Sequence, residues 1–312
     1  KLVGSIPDGD IRRGFTKGYS INDNLSKFYN NLPLFLEVGK NNFKEKLLIA
    51  KKKNIKEIPI VSKNKNYLGF VKLDGLIKNN EILSNNFDII IMAGGFGKRL
   101  LPITKKIPKP LIKVGKDPII DNLIKKCRLS NVNKIYIVLH YKANLIKKHL
   151  LRNFSDLKHK LKFIIEKTPL DTAGGLKLID IKRSSQQFLL INSDIVTNIN
   201  FDSLYNFFRE NKADLVVCAT RNEIVIPYGI LDINNKKIKN IQEKPTFNIN
   251  INSGIYFLNQ KIIELIKKNE KISAVELIKR SIKKRKKVLN YPVYENWIDI
   301  GNHSDLIKAK NF

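Results

Sequence analysis

The stretch DIIIMAGGFGKRL at residues 88–100 joins an apolar run to a glycine-rich turn, and it decides the fold. A run with so little polar interruption is typical of a strand that is buried on both faces. Similar short runs recur with amphipathic segments between them, at residues 89–92, 134–139, 161–165, 188–191 and 215–219. This alternation predicts an α/β fold in which helices cover both faces of a mostly parallel sheet. In such sheets ligands bind beyond the carboxyl ends of the strands.

The amphipathic segment at residues 119–129 is predicted to be one of the covering helices. We expect Asp117 to cap its amino end and Pro118 to take the first helical position, which suits the fixed φ of proline. Cys127 falls in this helix and Cys218 in a predicted buried strand, without the spacing of a metal site. Both cysteines are therefore interpreted as core residues.

The residues before position 88 have a different organisation. A helical pattern at 43–53 is followed by strand-like residues at 57–61 and 67–71, with a polar turn between the two strands. We therefore predict two domains, residues 1–83 and 87–312. Because the chain begins without Met, its first residues are expected to belong to an element whose beginning is missing.

The bulk composition limits the partners. The 312 residues carry a formal net charge of +30, yet the lysines are spread along the chain and aromatic residues do not interleave with them. This pattern favours a solvated basic surface over a specific nucleic-acid patch, and such a surface suits anionic substrates. The sequence shows neither an apolar run long enough to span a bilayer nor a signal-peptide pattern. We therefore expect no membrane partner and a cytoplasmic location.

The turn at residues 93–100 has the features of a phosphate-binding loop. Glycines after a buried strand let backbone N–H groups approach a polyphosphate, and Arg99 and Lys109 can add positive charge. The pattern matches neither GxGxxG nor the Walker A motif. A plain connection between a strand and a helix would explain the glycines alone equally well.

The whole order of motifs resembles the nucleoside-diphosphate-sugar pyrophosphorylase family, the sugar-1-phosphate nucleotidyltransferases. GGxGxRL, PxT and PKP at residues 94–110 are similar to the opening motif of that family. The later motifs follow in the same order: EKTPLDTAGGL (166–176), NSD (192–194), YGIL (228–231), EKP (243–245), NSGIY (252–256) and WIDIG (297–301). The resemblance covers roughly residues 88–312 and implies a Rossmann-like fold of the nucleotide-diphospho-sugar transferase type. It also implies an enzyme that transfers a nucleoside monophosphate from an NTP to a sugar 1-phosphate and releases pyrophosphate.

The resemblance assigns roles to the matching positions. The nucleotide would be bound by Ala93, Gly94, Gly95, Gly97, Gly174 and Gly175. The sugar would be bound by Gly229, Glu243 and Asn252. The catalytic residues would be Arg99 and Lys109 toward the triphosphate, Lys244 toward the sugar phosphate, and Asp194. Asp194 and Asp299 would hold Mg²⁺, which prefers oxygen ligands. Each position alone has an ordinary structural explanation, for example a turn cap at Asp194, but their joint occurrence favours the functional interpretation.

The chemistry of this reaction requires the same kinds of residues. The second pKa of a phosphate monoester is about 6, so a sugar 1-phosphate is a nucleophile near neutral pH without a Ser, Cys or His base. What remains is in-line positioning and neutralisation of phosphate charge, which cations and Mg²⁺ supply. The four histidines share no spacing and are interpreted as structural or surface residues: His140, His149, His159 and His303.

The first domain resembles a pair of CBS repeats, of which the first is truncated. Residues 4–13 (GSIPDGDIRR) and 69–74 (GFVKLD) are similar to the ends of two repeats, a family that often binds adenine nucleotides. Asp10 matches the aspartate that holds a ribose. Three other positions lack the expected hydroxyl or carboxylate, namely Pro7, Lys72 and Gly75. We therefore expect a structural role or homo-oligomer formation rather than nucleotide sensing.

The base and the sugar stay open at this point. CBS repeats ahead of a pyrophosphorylase-like domain resemble bacterial enzymes that make GDP-activated hexosamines for surface glycans such as legionaminic acid, which favours GTP with a hexose or hexosamine 1-phosphate. A uridylyl- or thymidylyltransferase of the same family is the alternative, since residues 171–175 do not decide the base. Two hypotheses come from other classes: a non-catalytic regulatory protein that binds nucleotide sugars, and a nucleic-acid-binding module suggested by the charge alone.

Overall fold

The computed structural model describes residues 1–40, 42–52, 55, 57–73, 87–130, 132–180 and 184–309. The chain forms two compact units, Lys1–Ser84 and Asn85–Phe312. Each unit contains its own cluster of buried apolar side chains. Each therefore has the separate core that a folding unit requires.

The first unit is a small α/β structure. Its elements are α1 (Asp8–Thr16), β1 (Leu36–Glu37), α2 (Phe43–Lys52), β2 (Glu57–Val61) and β3 (Tyr67–Lys72). β2 pairs in parallel with β1 and antiparallel with β3. The apolar residues Leu36, Ala50, Ile58 and Leu73 form its buried core. The predicted strand at 57–61 has these bounds in the structure, and the predicted helix at 43–53 is described as far as Lys52.

The second unit alternates strands and helices. Its elements are β4 (Asp88–Met92), α3 (Ile103–Lys106), β5 (Lys113–Val114), β6 (Asp117–Pro118), α4 (Ile119–Leu129), β7 (Ile135–Leu139), α5 (Ala143–Asn153), β8 (Leu161–Ile165), α6 (Asp171–Gly174), β9 (Gln187–Asn192), β10 (Ile195–Thr197), α7 (Phe201–Glu210), β11 (Leu215–Val225), β12 (Ile230–Asn234), β13 (Lys237–Gln242), β14 (Thr246–Asn259), α8 (Gln260–Ile263), α9 (Ala274–Lys283), β15 (Val288–Val293), β16 (Trp297–Asp299) and α10 (His303–Ala309). No helix within the described ranges has the length and apolar character needed to cross a bilayer.

One large sheet organises this unit. In the described part of the chain, seven strands form it in the order β15-β11-β14-β9-β4-β7-β8. β14 runs antiparallel to both of its neighbours, and the other neighbouring strands in this order are parallel. The sheet is therefore mostly parallel, as the apolar runs predict.

Both faces of the sheet are covered. Alternate residues of β4 point in opposite directions, so Ile89 and Ile91 pack in a cluster that includes side chains of α4, α5 and α7. Ile90 and Met92 pack on the other face in a second cluster, which includes side chains of α8 and α9. The unbroken apolar runs reflect this double burial, and the predicted α/β fold class is confirmed.

β11 extends well beyond the strand that the run at 215–219 predicts. Its outer part, from Arg221 to Val225, is exposed and is partly polar, so it carries no signal of a buried strand. It pairs there with the outer part of β14. Beside them β12 and β13 form a separate two-stranded antiparallel sheet, here called the ribbon, in which nearly every residue is exposed.

The start of α4 differs from the prediction at residue 117. The helix has the predicted bounds, but Pro118 is the residue that precedes the first turn, and no side chain in the described chain caps it. Asp117 lies one residue further out in β6, and its Oδ2 accepts a hydrogen bond from Lys125 Nζ at 2.5 Å. The predicted capping by Asp117 and the predicted first helical position of Pro118 are therefore both wrong. The two cysteines are buried as predicted, and burial raises the pKa of the Cys127 thiol to about 12.

Candidate active site

A cleft of about 320 Å³ opens at the carboxyl ends of β4 and β9. Its walls come from the glycine-rich turn after β4, the loop after β8 and the NSD motif at the end of β9. The edge formed by the carboxyl ends of parallel strands is where α/β proteins bind ligands. Six of the predicted site residues line the cleft: Gly94, Gly95, Gly97, Arg99, Lys109 and Asp194.

The turn after β4 has a backbone that suits glycine at one position. Gly97 has a φ of 65°, and a Cβ added there would lie 2.7 Å from Thr104 Cγ2. Thr104 Oγ1 donates a hydrogen bond to the Gly97 carbonyl at 2.9 Å, which fixes the turn. At Gly95 a Cβ would meet no described atom within 4 Å, so the space beside this backbone is open. Ala93 lies deeper, buried under the turn, and its N–H donates to the Val138 carbonyl at 2.8 Å.

The loop after β8 meets the glycine-rich turn at Glu166. This side chain is only 5% exposed, and Oε1 accepts no hydrogen bond from the described residues. A Cβ on Gly94 would lie 3.0 Å from Glu166 Oε2, and a Cβ on Gly175 would lie 2.7 Å from Glu166 Oε1. Burial raises the pKa of the Glu166 carboxyl, and the N–H of Leu170 opposes this effect. Glycine at both positions therefore makes room for a buried carboxylate.

The segment before α9 supports the loop after β8 through backbone hydrogen bonds. The N–H groups of Ala173 and Gly174 donate to the Ile272 carbonyl at 3.0 and 3.2 Å. A Cβ on Gly174 would lie 2.3 Å from the carbonyl oxygen of Glu270, so the contact requires glycine. Arg280 in turn donates to both carboxylate oxygens of Glu270, at 2.9 and 2.6 Å. Gly174 and Gly175 are thus both required by packing.

Asp194 and Asp299 lie side by side because β10 and β16 pair with each other. Asp299 is directly opposite the residue that follows Asp194, and the N–H of Ile300 donates to the Asp194 carbonyl at 3.0 Å. Burial raises the pKa of the Asp299 carboxyl and Asp194 raises it further, whereas Lys109 and Arg99 lower it. The two carboxylates are therefore close enough to repel each other, with two cations nearby.

Two cations from the side of the glycine-rich turn lie near the acidic pair, and Lys109 contacts it. Lys109 Nζ donates a hydrogen bond to Asp194 Oδ2. Arg99 is exposed in the cleft, and its Nη1 lies 3.2 Å from the position of a Cβ added to Gly301, which follows β16 closely. The structure thus brings Arg99, Lys109, Asp194 and Asp299 together, although they are far apart in sequence.

The donors of the acidic pair fit a divalent cation. Asp194 Oδ1 and Asp299 Oδ1 are buried and have no hydrogen-bond partner in the part of the chain that the structure describes. Mg²⁺ is commonly held by one or two carboxylates and completes its shell with substrate phosphates and waters. Within the described ranges, no group of three or more His, Cys, Asp or Glu residues could hold a metal by itself. Two carboxylates that share the metal with a phosphate substrate agree with both findings.

The predicted sugar-binding residues lie outside the lining of this cleft. Gly229, Glu243 and Lys244 are exposed beside the ribbon, and a Cβ on Gly229 would lie 3.0 Å from Glu243 Oε2. Lys244 has a φ of 42° and lies two residues after the end of β13. Asn252 is on β14, where its Nδ2 donates to the Tyr256 hydroxyl at 2.9 Å. Gly229 and Glu243 are therefore neighbours, although the thirteen residues of the ribbon and its turn, 230–242, separate them in sequence.

Sequence reasoning missed Glu166 and Asn192 as residues of the cleft. Both line it, and Asn192 Oδ1 is buried without a hydrogen-bond partner among the described residues. Their membership of the EKTPLDTAGGL and NSD motifs was the available signal. Their burial was not visible in the local pattern, because it arises from loops that meet only in the folded chain.

The covered, mostly parallel sheet and the glycine-lined cleft at its carboxyl edge define an α/β protein of the nucleotide-binding class. The chain matches the family described as Nucleotidyl transferase over residues 88–312, and it belongs to this family. The match begins with β4 and includes every element that contributes to the cleft.

Known proteins of this kind are similar in sequence and in structure. The chain is 28% identical to mannose-1-phosphate guanyltransferase of Yarrowia lipolytica over 226 residues, which cover 70% of this chain and 62% of that protein. It is 29% identical to mannose-1-phosphate guanyltransferase of Eremothecium gossypii over 233 residues, with 70% and 62% covered. The chain thus spans less than two thirds of the length of these relatives. The crystal structure of HddC from Yersinia pseudotuberculosis complexed with GMP-PN has a TM-score of 0.56 and 28% identity, covering 72% of this chain and 98% of HddC.

Proposed function

We propose that the chain transfers a nucleoside monophosphate from an NTP to a sugar 1-phosphate and releases pyrophosphate. The observation that carries this proposal is the juxtaposition of an open glycine-rich turn, two cations and two aspartates that each have a buried oxygen without a hydrogen-bond partner among the described residues, Asp194 in the lining of the cleft and Asp299 beside it. The relatives named above are guanyltransferases, and HddC was solved with GMP-PN, which supports GTP as the donor. The acceptor would be a hexose or hexosamine 1-phosphate used in surface-glycan synthesis.

The reaction is a single displacement at phosphorus. An oxygen of the sugar 1-phosphate forms a bond to the α-phosphorus of the NTP, while the bond from that phosphorus to the oxygen bridging to the β-phosphate breaks. Pyrophosphate leaves with the bridging oxygen and its electron pair. Because the attacking phosphate has a second pKa of about 6, no side chain has to remove a proton from it.

The residues of the cleft would bind and orient the nucleotide. The backbone N–H groups of Gly94, Gly95 and Gly97 would face the phosphates, and the open space beside Gly95 admits them. Arg99 and Lys109 would neutralise the charge that develops on the pyrophosphate. The nucleoside would lie beside the end of the buried strand and the second loop, whose close packing depends on the small residues Ala93, Gly174 and Gly175.

Mg²⁺ would be held by Asp194 and Asp299, whose buried Oδ1 atoms offer two hard donors. When bound, the ion would neutralise charge on the phosphates and orient them for in-line attack. Asp194 contributes to the raised pKa of Asp299, so the two carboxylates repel each other and a cation held by both would offset that repulsion.

The acceptor would be bound on the side of the ribbon. Gly229, Glu243 and Asn252 would contact the sugar, with the Glu243 carboxylate accepting from a sugar hydroxyl. Lys244 would bind the sugar phosphate as a point charge. Gly229, Glu243 and Lys244 are exposed, which suits a subsite that closes when the acceptor binds.

The first domain, residues 1–83, would be a CBS-like unit with a structural role, ahead of a transferase domain at 87–312. Asp10, at the position of the ribose aspartate, forms an ion pair with Arg13. The Lys72 side chain and Gly75 lie outside the described residues. Tyr67, Leu68 and Phe70 of β3 expose apolar surface that homo-oligomer formation would cover. The reaction would take place in the cytoplasm, because it consumes an NTP.

The direct test is turnover with each of the four common ribonucleoside triphosphates, and with dTTP, in the presence of hexose and hexosamine 1-phosphates. Pyrophosphate release and the mass of the nucleotide sugar are measured. GTP is expected to give the highest kcat/KM. A preference for UTP or dTTP would correct the base but keep the reaction. Tight nucleotide-sugar binding without turnover of any NTP would instead identify a non-catalytic protein.

A further inference from the structure

Arg99 lies in the cleft without a direct partner for its charge. Its side chain is exposed, and it forms no ion pair or hydrogen bond with the residues that the structure describes. A long side chain loses rotamer entropy when a ligand fixes it. A cation that is already in place stabilises developing charge without this loss. The position of the Arg99 guanidinium group therefore depends on the groups that surround it.

The backbone of Gly301 forms the surface next to this guanidinium group. A Cβ added to Gly301 would lie 3.2 Å from Arg99 Nη1 and 3.3 Å from Asp305 Oδ2. Both distances are shorter than an optimal van der Waals contact of about 3.5–4.0 Å. A side chain at position 301 would therefore displace the guanidinium group, the carboxylate or both.

Asp305 fixes the backbone of Gly301. Its Oδ2 accepts hydrogen bonds from the N–H groups of Gly301 and Asn302, both at 2.9 Å. The Gly301 N–H also donates to the Asp299 carbonyl at 2.9 Å, so this backbone is connected to the acidic pair. Asp305 raises the pKa of Asp299, whereas Arg99 lowers it, so both charges lie close to that carboxyl. The turn between β16 and α10 is therefore fixed by Asp305.

The same end of the chain also holds the backbone that follows Arg99. His303 Nε2, in α10, donates a hydrogen bond to the Leu101 carbonyl at 3.1 Å. Leu100 is buried in a cluster that includes Ile300 and Ala309. The backbone next to Arg99 in sequence and the backbone against which its guanidinium group lies are thus both held by residues 300–309.

We propose that Asp305 is a positioning residue for Arg99 and acts through the backbone of Gly301. The inference rests on the role proposed above for Arg99 toward the triphosphate. Gly301 lines the cleft, and Asp305 lies behind it, so Asp305 needs no contact with the substrate. By fixing Gly301 it fixes the surface beside the guanidinium group, and Arg99 meets the pyrophosphate group already oriented.

A double-mutant cycle on the full chain tests this inference, with calorimetric binding of magnesium pyrophosphate as the measurement. Asp305→Ala and Gly301→Ala should each raise the Kd about three- to tenfold, because Arg99 is displaced. The φ of Gly301 lies outside the left-handed region, so alanine there tests space alone. In the Arg99→Ala background both effects should fall below about twofold, since the residue that they position is gone. Lys308→Ala, exposed on α10, is the matched control and should bind like wild type. Equal losses in both backgrounds, or no loss in either, would overturn the proposal.

Asp305→Asn separates backbone position from charge, and it replaces Asp305→Ala if that variant does not fold. Asparagine keeps an oxygen that can accept from both N–H groups, so the Kd should stay within about twofold of wild type. A loss as large as that of Asp305→Ala would show that charge, and not the position of Gly301, is responsible.

Nuclear magnetic resonance of the full chain with labelled arginine reports the position of Arg99 without any substrate. The Arg99 Nε–H signal, identified by its loss in Arg99→Ala, should shift in Asp305→Ala and in Gly301→Ala but not in Lys308→Ala. A signal that stays in place in the first two variants would contradict the inference. A shifted signal together with wild-type pyrophosphate affinity of Arg99→Ala would instead support the positioning by Asp305 and remove the role proposed for Arg99 in phosphate binding.

Discussion

At the scale of single residues, Asp194 and Asp299 carry the proposed chemistry. Alanine at either position should reduce pyrophosphate release about 10³-fold or more, because several kcal/mol of charge stabilisation by the metal is lost. The residual rate is measured with saturating Mg²⁺ and both substrates. Asp117→Ala serves as the control, since Asp117 pairs with Lys125 outside the cleft and should leave the rate unchanged.

Measurements of metal binding and of folding show whether a slow variant has lost its metal or its structure. Mn²⁺ titration followed by electron paramagnetic resonance should show weakened binding in both alanine variants, while circular dichroism spectra stay native. Turnover at the wild-type rate by either variant would rule out the two-aspartate site. If an alanine variant does not fold, Asp194→Asn or Asp299→Asn is used in its place, because asparagine keeps the side-chain volume and removes the charge.

Two further residues are proposed to bind different phosphate groups, one on the acceptor and one on the donor. Lys244→Ala should mainly raise KM for the sugar 1-phosphate, roughly tenfold, because Lys244 lies near Glu243 and outside the nucleotide cleft. Arg99→Ala should mainly weaken binding of the NTP and of pyrophosphate, since Arg99 lines that cleft. Steady-state kinetics of the forward and reverse reactions measures KM for the NTP, the sugar 1-phosphate, pyrophosphate and the nucleotide sugar. Lys162→Ala is the exposed control. Equal loss of NTP affinity in both variants, with acceptor affinity intact, would refute this division of roles.

At the scale of elements, the ion pair between Glu270 and Arg280 supports the nucleotide loop. Arg280 lowers the pKa of Glu270 to about 2, so the pair stabilises the fold above the ordinary glutamate pKa of about 4.3. This contribution should be lost as the pH falls from there toward about 2. Glu270→Gln should therefore lower the free energy of unfolding by about 0.5–1 kcal/mol at pH 7, and by less at pH 3.

Urea denaturation of Glu270→Gln and of wild type at both pH values measures this difference. Glu210→Gln, exposed on α7, is the matched control and should match wild type at each pH. Because Ala173 and Gly174 hydrogen bond to the neighbouring Ile272, KM for the NTP should also rise about two- to fivefold in Glu270→Gln. A destabilisation that stays the same at pH 3 would show that the ion pair is not its source.

The sheet could be predicted from the sequence more fully than the site. Strands that are buried on both faces leave unbroken apolar runs, and β8 has the bounds that its run predicts. The outer part of β11 and the ribbon are exposed, so hydrophobicity did not reveal them. Asp117 has the residue type of a helix cap, but the local path of β6 takes it out of reach. Propensity describes only neighbours in sequence, whereas these outcomes depend on tertiary packing.

In the candidate site, too, motifs identified some residues, whereas other features depend on contacts between distant parts of the chain. The motifs identified Asp194 and Asp299, and the structure brings them together through the pairing of β10 with β16. The buried Glu166 could not be foreseen, since its burial depends on Gly94 and Gly175, which belong to two different loops. Motif order therefore identifies candidate residues, while burial and missing hydrogen-bond partners indicate which of them a ligand would contact.

At the scale of the whole molecule, the two units should be separable. The core of the second unit begins with Phe87, which is fully buried against Tyr205 and Phe257, so a fragment of residues 85–312 retains its aromatic contacts. The first unit has its own small core around Ile58. We therefore expect the fragment to fold and to keep wild-type kcat/KM within about twofold, as measured by pyrophosphate release.

The first unit should affect assembly rather than catalysis. Tyr67 and Phe70 expose more apolar surface than so small a unit can bury alone, so it should pair with another copy. Sedimentation velocity should then show a larger assembly for the full chain than for residues 85–312. AMP and ATP should hardly change the rate of the full chain, because Asp10 is already paired with Arg13 and Pro7 offers no hydroxyl to a ribose. Identical oligomeric states would remove the pairing role, and tight AMP binding with a large rate change would make this unit a nucleotide sensor.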